Sequence, residues 1–470
     1  MTPREASPTI VWYRRDLRIA DNAALSSAID TGRPVIPVFI WAREEDAPWQ
    51  PGVASRWWLH HSLKSLAVDL GTRGSRLVIR QADDSLDELR RIIAETGADT
   101  VMWNRLYEPS RADGDRRVAD ALRRDGLEVV SFEGALLFEP SEVLNRAGAP
   151  FQVFTPFWKH CLTRDEPPSP IPAPAAVPPP SNWPWSAPLA DLGLIAPDDH
   201  QFSDHWVPGE SAGWNSLDAF LGGPIERYGD DRDRPDLAGT SRLSPHLHFG
   251  EITARQLWHV LGDRRGTSAD KFLSEVGWRE FAHQLLHHFP HTADQPLRPE
   301  FTRFPWRTDP EHLEAWHTGQ TGYPLVDAGM RQLRATGWMH NRVRMVVASF
   351  LVKHLRIHWL EGARWFWDTL VDADLANNTF GWQWTAGSGA DAAPYLRVFN
   401  PTLQGERFDP DGGYIRRWVP ELSGIPQQHL YQPWRRPPAS SLEYPDPIVD
   451  HADARTEALL AFEALRRASP

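Results

Sequence analysis

Acidic and amide side chains lie close to a tryptophan pair near residue 380, where residue types and spacing suggest a ligand site. Asp372-Ala373-Asp374 and Asn377-Asn378 precede Trp382-Gln383-Trp384, and residues 381–389 are rich in glycine. Carboxylates and amides can hold the hydroxyl and ring-nitrogen groups of a ligand, and glycine permits close backbone approach. We predict a glycine-rich loop that binds such a ligand. The alternative is a tryptophan pair that only fills a core.

A basic segment lies just upstream, between residues 328 and 360, and it contains no acidic residue. Its basic residues are Arg331, Arg334, Arg342, Arg344, Lys353 and Arg356. Helical spacing groups some of its side chains on one stripe, namely Arg342, Met345, Ser349, Lys353 and Arg356. This stripe predicts a contact with phosphates, and a solvated helix face is the alternative.

Three further groups of residues could carry chemistry. Thr240, Ser241, Arg242, Leu243 and Ser244 offer hydroxyls, backbone donors and a cation ahead of a predicted helix, which suits a phosphate or a simple helix cap. Glu275 and Trp278 would share one helical face, where an acid and an indole could contact the edge and the face of a base; ordinary surface pairing is the alternative. The histidines from 283 to 291 lack a His-Glu-x-x-His motif, so we expect no metal.

Composition limits the class of protein. The net charge of −12 over 470 residues argues against a protein that coats DNA over its whole surface, so any DNA contact must be local. A single cysteine, Cys161, excludes an intrachain disulfide and a cysteine-ligated cluster and favours a reducing compartment. Residues 1–10 lack a signal pattern, and no apolar run approaches the about 20 residues that span a membrane. We expect a cytoplasmic protein that does not contact a membrane.

The organisation of the chain predicts two domains of different class. Apolar runs at residues 9–13, 34–41, 76–80, 100–103 and 128–132 alternate with helical patterns, which predicts an α/β Rossmann-like domain with a parallel five-stranded sheet. No Gly-x-Gly-x-x-Gly follows the first strand, so a standard dinucleotide site there is not expected. We expect the α/β domain over residues 1–135, a proline-rich interdomain connector over 136–200 and a larger all-α domain over 201–470.

Several segments, in order and at matching spacing, resemble the photolyase and cryptochrome family over most of the chain. They are Trp12-Tyr13-Arg14-Arg15-Asp16-Leu17-Arg18, Gly239-Thr240-Ser241-Arg242-Leu243-Ser244-Pro245, Trp278-Arg279-Glu280-Phe281, Thr321-Gly322-Tyr323-Pro324-Leu325-Val326-Asp327, Gly337-Trp338-Met339-His340-Asn341-Arg342 and Gly381-Trp382-Gln383-Trp384. The resemblance implies that the helical domain binds FAD in a folded conformation and that the α/β domain can hold a light-harvesting antenna.

The resemblance also implies roles for particular residues in binding FAD. Contacts to FAD and its phosphates are expected from Tyr228, Thr240, Ser241, Arg242, Leu243, Ser244 and Asn341. Arg344 is expected to pair with Asp372, Asp374 to lie beside the flavin, and Asn378 to face its N5 atom. The implied activity is light-driven repair of cyclobutane pyrimidine dimers: excited reduced FAD gives an electron to a dimer flipped out of the DNA duplex, the ring splits and the electron returns.

Residues that match the family's substrate side and electron path follow from the same resemblance. Glu275, Asn341, Arg342 and Met345 match residues at the lesion, Trp278 and Trp384 match residues that flank its bases, and Arg232 and Gln404 match further DNA contacts. Trp382, Trp359 and Trp306 match the chain of indoles that reduces oxidised flavin. Glu275, Asn378 and these three indoles are the residues expected to carry catalysis.

The type of family member follows from three positions. Asn378 and Trp384 are expected of enzymes that repair dimers, whereas plant-type cryptochromes often have an acid at the first position and replace the second. Asn341 stands where (6-4) photolyases usually have a histidine. We therefore expect a cyclobutane pyrimidine dimer photolyase that acts on DNA as a monomer without an obligatory protein partner. A cryptochrome-like photoreceptor that binds FAD without repair is the alternative, and a dark electron-transfer flavoprotein is a more distant one.

The antenna is predicted from a single residue. Glu108 matches a glutamate that binds a reduced folate in some family members, although Tyr107 departs from the Asn-Glu pair of one branch. A reduced folate such as methenyltetrahydrofolate is favoured, and a deazaflavin or no antenna are the alternatives.

Overall fold

The computed structural model describes residues 6–195, 201–262, 264, 266–392, 397–435 and 443–467. Its single sheet consists of Thr9–Tyr13 (β1), Val35–Trp41 (β2), Val78–Gln81 (β3), Thr100–Asn104 (β4) and Glu128–Phe132 (β5). The strands lie in the order β3-β2-β1-β4-β5, and every neighbouring pair is parallel. Each parallel connection needs a crossover, which a helix supplies. The predicted five-stranded parallel sheet is confirmed.

Helices cover both faces of this sheet. They are Ala23–Asp30 (α1), Val53–Gly71 (α2), Ser85–Thr96 (α3) and Pro109–Arg124 (α4). Along β1, Val11 and Tyr13 pack in one apolar cluster with α2, while Ile10 and Trp12 pack in the other with α3 and α4. This alternation buries both faces of the strand, which explains why the strands of the sequence are continuous apolar runs.

The proline-rich segment between the two halves packs along the α/β layer. Residues 167–188 contain neither helix nor strand, because proline lacks a backbone donor. Their backbone still binds the sheet: Val35 donates its N–H to Pro178 O at 2.8 Å, and Ala187 donates to Ile79 O at 2.9 Å. Earlier in the same segment, Phe154–Cys161 (α5) packs in the apolar cluster of the helical half. Residues 196–200, at the end of the predicted connector, lie outside the described residues.

The remainder of the chain is helical, as predicted. Its helices are Glu210–Leu221 (α6), Tyr228–Asp231 (α7), Ser244–His248 (α8), Ala254–Gly262 (α9), Thr267–His288 (α10), Pro310–Thr318 (α11), Pro324–Thr336 (α12), Asn341–Ser349 (α13), Trp359–Thr369 (α14), Leu375–Ala386 (α15), Pro401–Phe408 (α16), Gly413–Trp418 (α17), Gln427–Leu430 (α18) and His451–Arg467 (α19). The largest apolar cluster lies among α12, α13, α14 and α15. None of the described helices has the length and apolar character needed to cross a membrane.

The predicted glycine-rich loop is wrong, because Trp382-Gln383-Trp384 lies on helix α15. Asp374 caps the start of this helix by accepting a hydrogen bond from Asn377 N at 2.9 Å. Gly387, with a φ of 81°, ends it in the left-handed conformation that favours glycine. Gly381 is therefore an interior helix residue, and the run of glycines marks the helix end rather than a loop.

The continuous basic stripe from Arg342 to Arg356 is also wrong. Helix α13 ends at Ser349, and a π-helical turn, Phe350–His354, follows it. This turn changes the helical register, and Ser349 and Lys353 are both buried at 1 % exposure. Only Arg342 and Met345 of the stripe reach the cavity described below.

Buried polar contacts fix the two halves against each other. Arg18 is buried and donates to Gly250 O at 2.9 Å and to Gly134 O at 3.0 Å. Glu251, buried in the helical half, accepts a hydrogen bond from Trp58 Nε1 at 3.1 Å. Because buried charges without partners are costly, these contacts favour one arrangement of the halves. In this arrangement residues that follow β1 and β4 meet the helical half.

Candidate active site

A cavity of 730 Å³ opens in the helical half, within the about 300–1,000 Å³ range of small-molecule sites. Most of the predicted site residues line it, although they are spread over more than 150 positions of sequence. They are Arg232, Glu275, Trp278, Asn341, Arg342, Arg344, Met345, Asp372, Asp374, Asn378, Trp382 and Trp384. Helices α10, α13 and α15 supply most of them.

One wall of the cavity carries neutralised carboxylates. Arg344 Nη2 lies 2.8 Å from Asp372 Oδ2, the pair that the sequence predicts, and Arg344 Nε donates to Met339 O at 2.7 Å. Asp374 Oδ2 lies 3.4 Å from His248 Nδ1 and 3.3 Å from His283 Nε2. Burial alone would raise the pKa of Asp374, but the two histidines hold that pKa well below its ordinary value. This wall therefore offers fixed acceptors with their charge balanced.

Asn378 lies on the same wall, one helical turn after Asp374. Its Nδ2 atom donates to Ala363 O of α14 at 2.9 Å, which fixes the orientation of the amide. The remaining Oδ1 atom is an acceptor that can face a ligand N–H. The side chain thus offers hydrogen bonding without a titratable proton.

Aromatic and acidic side chains form the other part of the cavity. Trp278 stacks on Phe154 of α5, with ring centroids 3.7 Å apart and planes at 10°. Glu275, one turn earlier on α10, pairs with Arg232. Gly277 lies between them and its missing side chain makes room for Trp158, since a Cβ would lie 2.6 Å from that indole. These contacts hold a flat apolar surface beside an acid, which suits a nucleobase.

Carboxylates already pair with two arginines of the cavity wall. Arg342 donates to both oxygens of Asp233, at 3.3 and 2.8 Å, and Arg232 pairs with Glu275. Phosphates that bind here must therefore replace these acids as partners. Lys353, predicted to meet phosphates, instead donates its Nζ to Arg397 O at 2.8 Å. Burial and the charge of Arg397 lower the pKa of Lys353 to about 7.

The three predicted electron-transfer indoles differ in depth. Trp382 borders the cavity at 2 % exposure, Trp359 begins α14 at 1 %, and Trp306 is half-buried. Gly362 of α14 allows the close approach of Trp382, because a Cβ there would lie 2.0 Å from its ring. Trp382 also contacts Phe366, with ring centroids 5.1 Å apart. The indoles therefore extend from the cavity wall to a partly exposed position.

Several predicted residues do not line the cavity. Tyr228 is buried between Phe220 and Phe272 and adjoins the cavity through Arg232, whose guanidinium lies 5.5 Å from its ring. Gln404 lies on α16, the helix whose Phe408 contacts Arg342 at 4.4 Å. The residues from Thr240 to Ser244 lie beyond Trp338.

The Thr240–Ser244 cluster has a cation suited to an anion. Arg242 has a φ of 53° and lies 4.0 Å from the ring of Trp206 and 5.2 Å from that of Trp338. Arg344 lies 5.9 Å from the same Trp338 ring. Desolvation and the charge of Arg417 lower the pKa of Arg242. In the described part of the chain Arg242 has no carboxylate partner. Arg242, separated from the cavity by the Trp338 indole, is therefore suited to the phosphates of FAD. The polar wall of Asp372, Asp374 and Asn378 is suited to the flavin.

Glu108 lies outside this cavity, between β4 and α4. It is 6 % exposed, pairs with Arg15 at 2.5 Å and lines a separate cavity of 70 Å³. Burial raises its pKa, but Arg15, His283 and a backbone hydrogen bond together outweigh this effect, and the pKa of Glu108 is lowered. Ala373 lines both cavities.

Local sequence pattern does not signal the histidines that contact Asp374. His283 belongs to the cluster considered for a metal, and no group of residues suited to a metal ion occurs among the described positions. His248 and His283 approach Asp374 from helices that are far apart in sequence. No local spacing signals such a contact, which only the packing of α8, α10 and α15 creates.

Together, the fold and the cavity define a protein with an α/β half, a helical half and a cavity lined by polar side chains and indoles. Residues 9–176 match the DNA photolyase family, and residues 272–464 match the FAD binding domain of DNA photolyase. A deoxyribodipyrimidine photo-lyase of Agrobacterium fabrum is 47 % identical, over 98 % of this chain and 99 % of that protein. Cryptochrome-1 of Arabidopsis thaliana is 41 % identical, over 98 % of this chain and 71 % of that protein.

Solved structures agree with these matches. The crystal structure of a bacterial class III photolyase from Agrobacterium tumefaciens has a TM-score of 0.95 and 46 % identity, and the match covers 99 % of each chain. The chain belongs to the DNA photolyase family, and its helical half is an FAD-binding domain.

Proposed function

We propose that the protein repairs cyclobutane pyrimidine dimers in DNA under blue or near-ultraviolet light. The observation that carries this proposal is one cavity lined both by the polar wall of Asp372, Asp374 and Asn378 and by the indoles Trp278 and Trp384. The relative from A. fabrum, a deoxyribodipyrimidine photo-lyase, supports the same activity. When bound, reduced FAD would supply the photoexcited electron that opens the cyclobutane ring and would accept it back.

On the flavin side, the polar wall orients the cofactor. Arg344 neutralises Asp372, so this carboxylate can accept a flavin N–H without leaving an unbalanced charge in the cavity. Asn378, held by Ala363, presents its Oδ1 atom toward the flavin N5. Asp374 and Asn341 complete this side. Tyr228 and the Thr240–Ser244 cluster would hold the distal part of FAD, where Arg242 would pair with a phosphate.

On the DNA side, the lesion leaves the duplex and enters the cavity. Its bases stack against Trp278 and Trp384, and such stacking contributes about 1–3 kcal/mol per base. Lesion atoms contact Glu275, Asn341, Arg342 and Met345, while Arg232 and Gln404 contact the backbone. Before DNA binds, the Arg342–Asp233 pair holds the arginine in position. When DNA binds, Arg342 pairs with a phosphate in place of Asp233.

The indole chain keeps the cofactor reduced. Trp382, Trp359 and Trp306 would carry electrons from the surface to the cavity wall, where these electrons would reduce a bound, oxidised FAD. Replacing Trp382 with phenylalanine should block photoreduction and leave repair by chemically reduced enzyme largely intact. Equal photoreduction rates in the two proteins would point to another path.

The 41 % identity with Cryptochrome-1 favours a second candidate, a photoreceptor that binds FAD without repair. The test uses matched oligonucleotides that carry either one thymine dimer or one (6-4) lesion, with FAD-loaded, reduced protein in light and in darkness. We expect light-dependent loss of the dimer only, and a large loss of this activity in Trp384→Ala. Intact dimers alongside bound, light-responsive FAD would favour the photoreceptor.

We also propose an antenna chromophore in the α/β half, with a reduced folate favoured over a deazaflavin. Glu108 supports this site, but its pairing with Arg15 and the 70 Å³ cavity mean that a folate must open the pair on binding. The absorption spectrum of protein with its native pigments identifies the antenna. Loss of a near-ultraviolet band in Glu108→Gln, with FAD retained, is the expected result; an unchanged band would exclude Glu108.

A further inference from the structure

We propose that His358 is a positioning residue of the indole chain, and that its neutral imidazole allows Trp359 and Trp306 to carry positive charge. The His358 ring centroid lies 5.8 Å from that of Trp359, with planes at 27°, and 5.1 Å from that of Trp306, with planes at 64°. The imidazole therefore contacts both outer indoles. This inference rests on the proposed function, because it requires the chain to conduct electrons.

Local structure fixes the position of this imidazole. His358 is the N-cap of α14, and its Nδ1 atom accepts a hydrogen bond from Leu360 N at 3.1 Å. Since Nδ1 is an acceptor, the neutral ring carries its proton on Nε2. Trp359 is the next residue, the first of the helix. Trp306 is brought to the other side by its own segment, where Arg307 N donates to Arg356 O at 2.7 Å.

The charge of the imidazole matters because each electron step leaves a positive indole. An electron passes from Trp359 to Trp382, which has given one to the oxidised flavin, and another passes from Trp306 to Trp359. A thiol in solution finally refills Trp306. A protonated imidazole about 5 Å from an indole cation changes the equilibrium by more than tenfold at an effective dielectric constant of about 20. Positive charge would then stay on Trp382, next to the flavin, and recombine there.

At neutral pH the environment keeps this ring uncharged. Burial is the main cause that lowers the pKa of His358, and the positive charge of Arg364 on the same helix lowers it further. Protonation of His358 is therefore shifted to lower pH than that of an ordinary histidine. The geometry places the titrating ring where its charge opposes the outer electron steps.

The effect of the His358 charge must be distinguished from the effects of other charged groups near α14 and Trp306. The fixed charges are those of Glu361 and Arg364 on α14, Arg307 and Arg356 beside Trp306, and Glu457 on α19, which pairs with both of these arginines. His354 and His451, joined at 2.8 Å, are a further histidine pair in this part of the protein. A variant that differs only at position 358 leaves all of them in place.

The experiment measures the photoreduction rate of oxidised, FAD-loaded protein with a thiol donor between about pH 8 and about pH 5.5. His358→Asn keeps a capping side chain and removes the titration, and His358→Phe keeps an aromatic ring without charge. His160→Asn is the control: it removes a histidine of α5 whose ring contacts Phe151 instead of an indole. An NMR titration of the His358 ring gives its own midpoint.

We expect the wild-type rate to fall about tenfold or more as His358 protonates, as the charge estimate requires. The decrease should share the NMR midpoint, persist in His160→Asn and be absent from both His358 variants. Identical pH profiles in wild type and His358→Asn would overturn the inference. Trp306→Phe shows whether the indole chain itself conducts electrons. If photoreduction survives this substitution, the indole chain is refuted. If photoreduction is blocked, the indole chain stands and only the role of His358 is refuted.

Discussion

Gly362 offers a sharp test of how α14 supports the cavity wall. A Cβ at this position would lie 2.0 Å from Cη2 of Trp382 and 2.5 Å from Cζ2 and Cζ3. Carbon atoms at optimal contact are about 3.5–4.0 Å apart, so the indole must move. Trp382 is 2 % exposed and packs against Phe366, so the cavity is the direction in which it can move.

We therefore expect Gly362→Ala to lower both stability and photoreduction. Alanine gains about 1 kcal/mol over glycine inside a helix, whereas overpacking a core costs about 1–3 kcal/mol. The net effect is a loss of up to about 2 kcal/mol in the free energy of unfolding. A displaced indole also intrudes on the flavin wall, so FAD content should fall.

Denaturant unfolding of the FAD-loaded protein measures this effect, and Gly114→Ala is the matched control. Gly114 lies inside helix α4, and a Cβ there would meet nothing within 4 Å. The same substitution should stabilise the protein there by up to about 1 kcal/mol. If Gly362→Ala proved as stable as Gly114→Ala, with FAD content and photoreduction unchanged, the tight contact between α14 and Trp382 would be refuted.

Three further predictions concern charge. Burial lowers the pKa of His340 to about 4, so unfolded chains bind an extra proton below about pH 6.5. The free energy of unfolding should therefore fall by about 2 kcal/mol from about pH 7.5 to about pH 5, and by less in His340→Asn. Denaturation curves that give the two proteins the same dependence on pH would disprove this prediction. Arg344→Met leaves the buried Asp372 unpaired, so it should lower the free energy of unfolding by about 3–5 kcal/mol and remove most bound FAD. Adding Asp372→Asn should partly restore both stability and FAD content. If neither is restored, the pairing is contradicted. Asp233→Asn should tighten binding of dimer-bearing DNA, because it frees Arg342 for a phosphate. Arg342→Ala should weaken binding and reduce by about 1 the slope of the logarithm of the binding constant against the logarithm of salt concentration. An unchanged slope in salt titrations would mean that Arg342 contacts no phosphate.

The sequence predicts the α/β half well because its strands are buried on both faces. Continuous apolar runs such as Val35–Trp41 leave few alternatives, and Gly97 marks a helix end through its left-handed φ of 66°. The long helix Thr267–His288 is similarly clear. The helical stripe predicted from Arg342 to Arg356 extends too far, because the π-helical turn after α13 keeps helical composition while changing the direction of side chains.

The site is predicted less completely, for physical reasons. Family resemblance identifies the residues of the cavity wall, but local pattern assigns Trp382 and Trp384 to a loop, since glycine content outweighs the helix cap supplied by Asp374. The carboxylates that pair with Arg342 and Arg344 lie about 30 to about 110 positions away along the chain, and no local spacing encodes such pairs. Charge patterning alone therefore overstates how much positive surface is free to meet DNA.

The central claim is that one cavity holds the flavin and receives the dimer. A crystal structure of the FAD-loaded protein with a duplex carrying one thymine dimer tests it most directly. We expect the isoalloxazine ring to lie against Asn378 and the Arg344–Asp372 pair, with the dimer out of the helix between Trp278 and Trp384. A flavin bound elsewhere, or a dimer still stacked within the duplex, would contradict it.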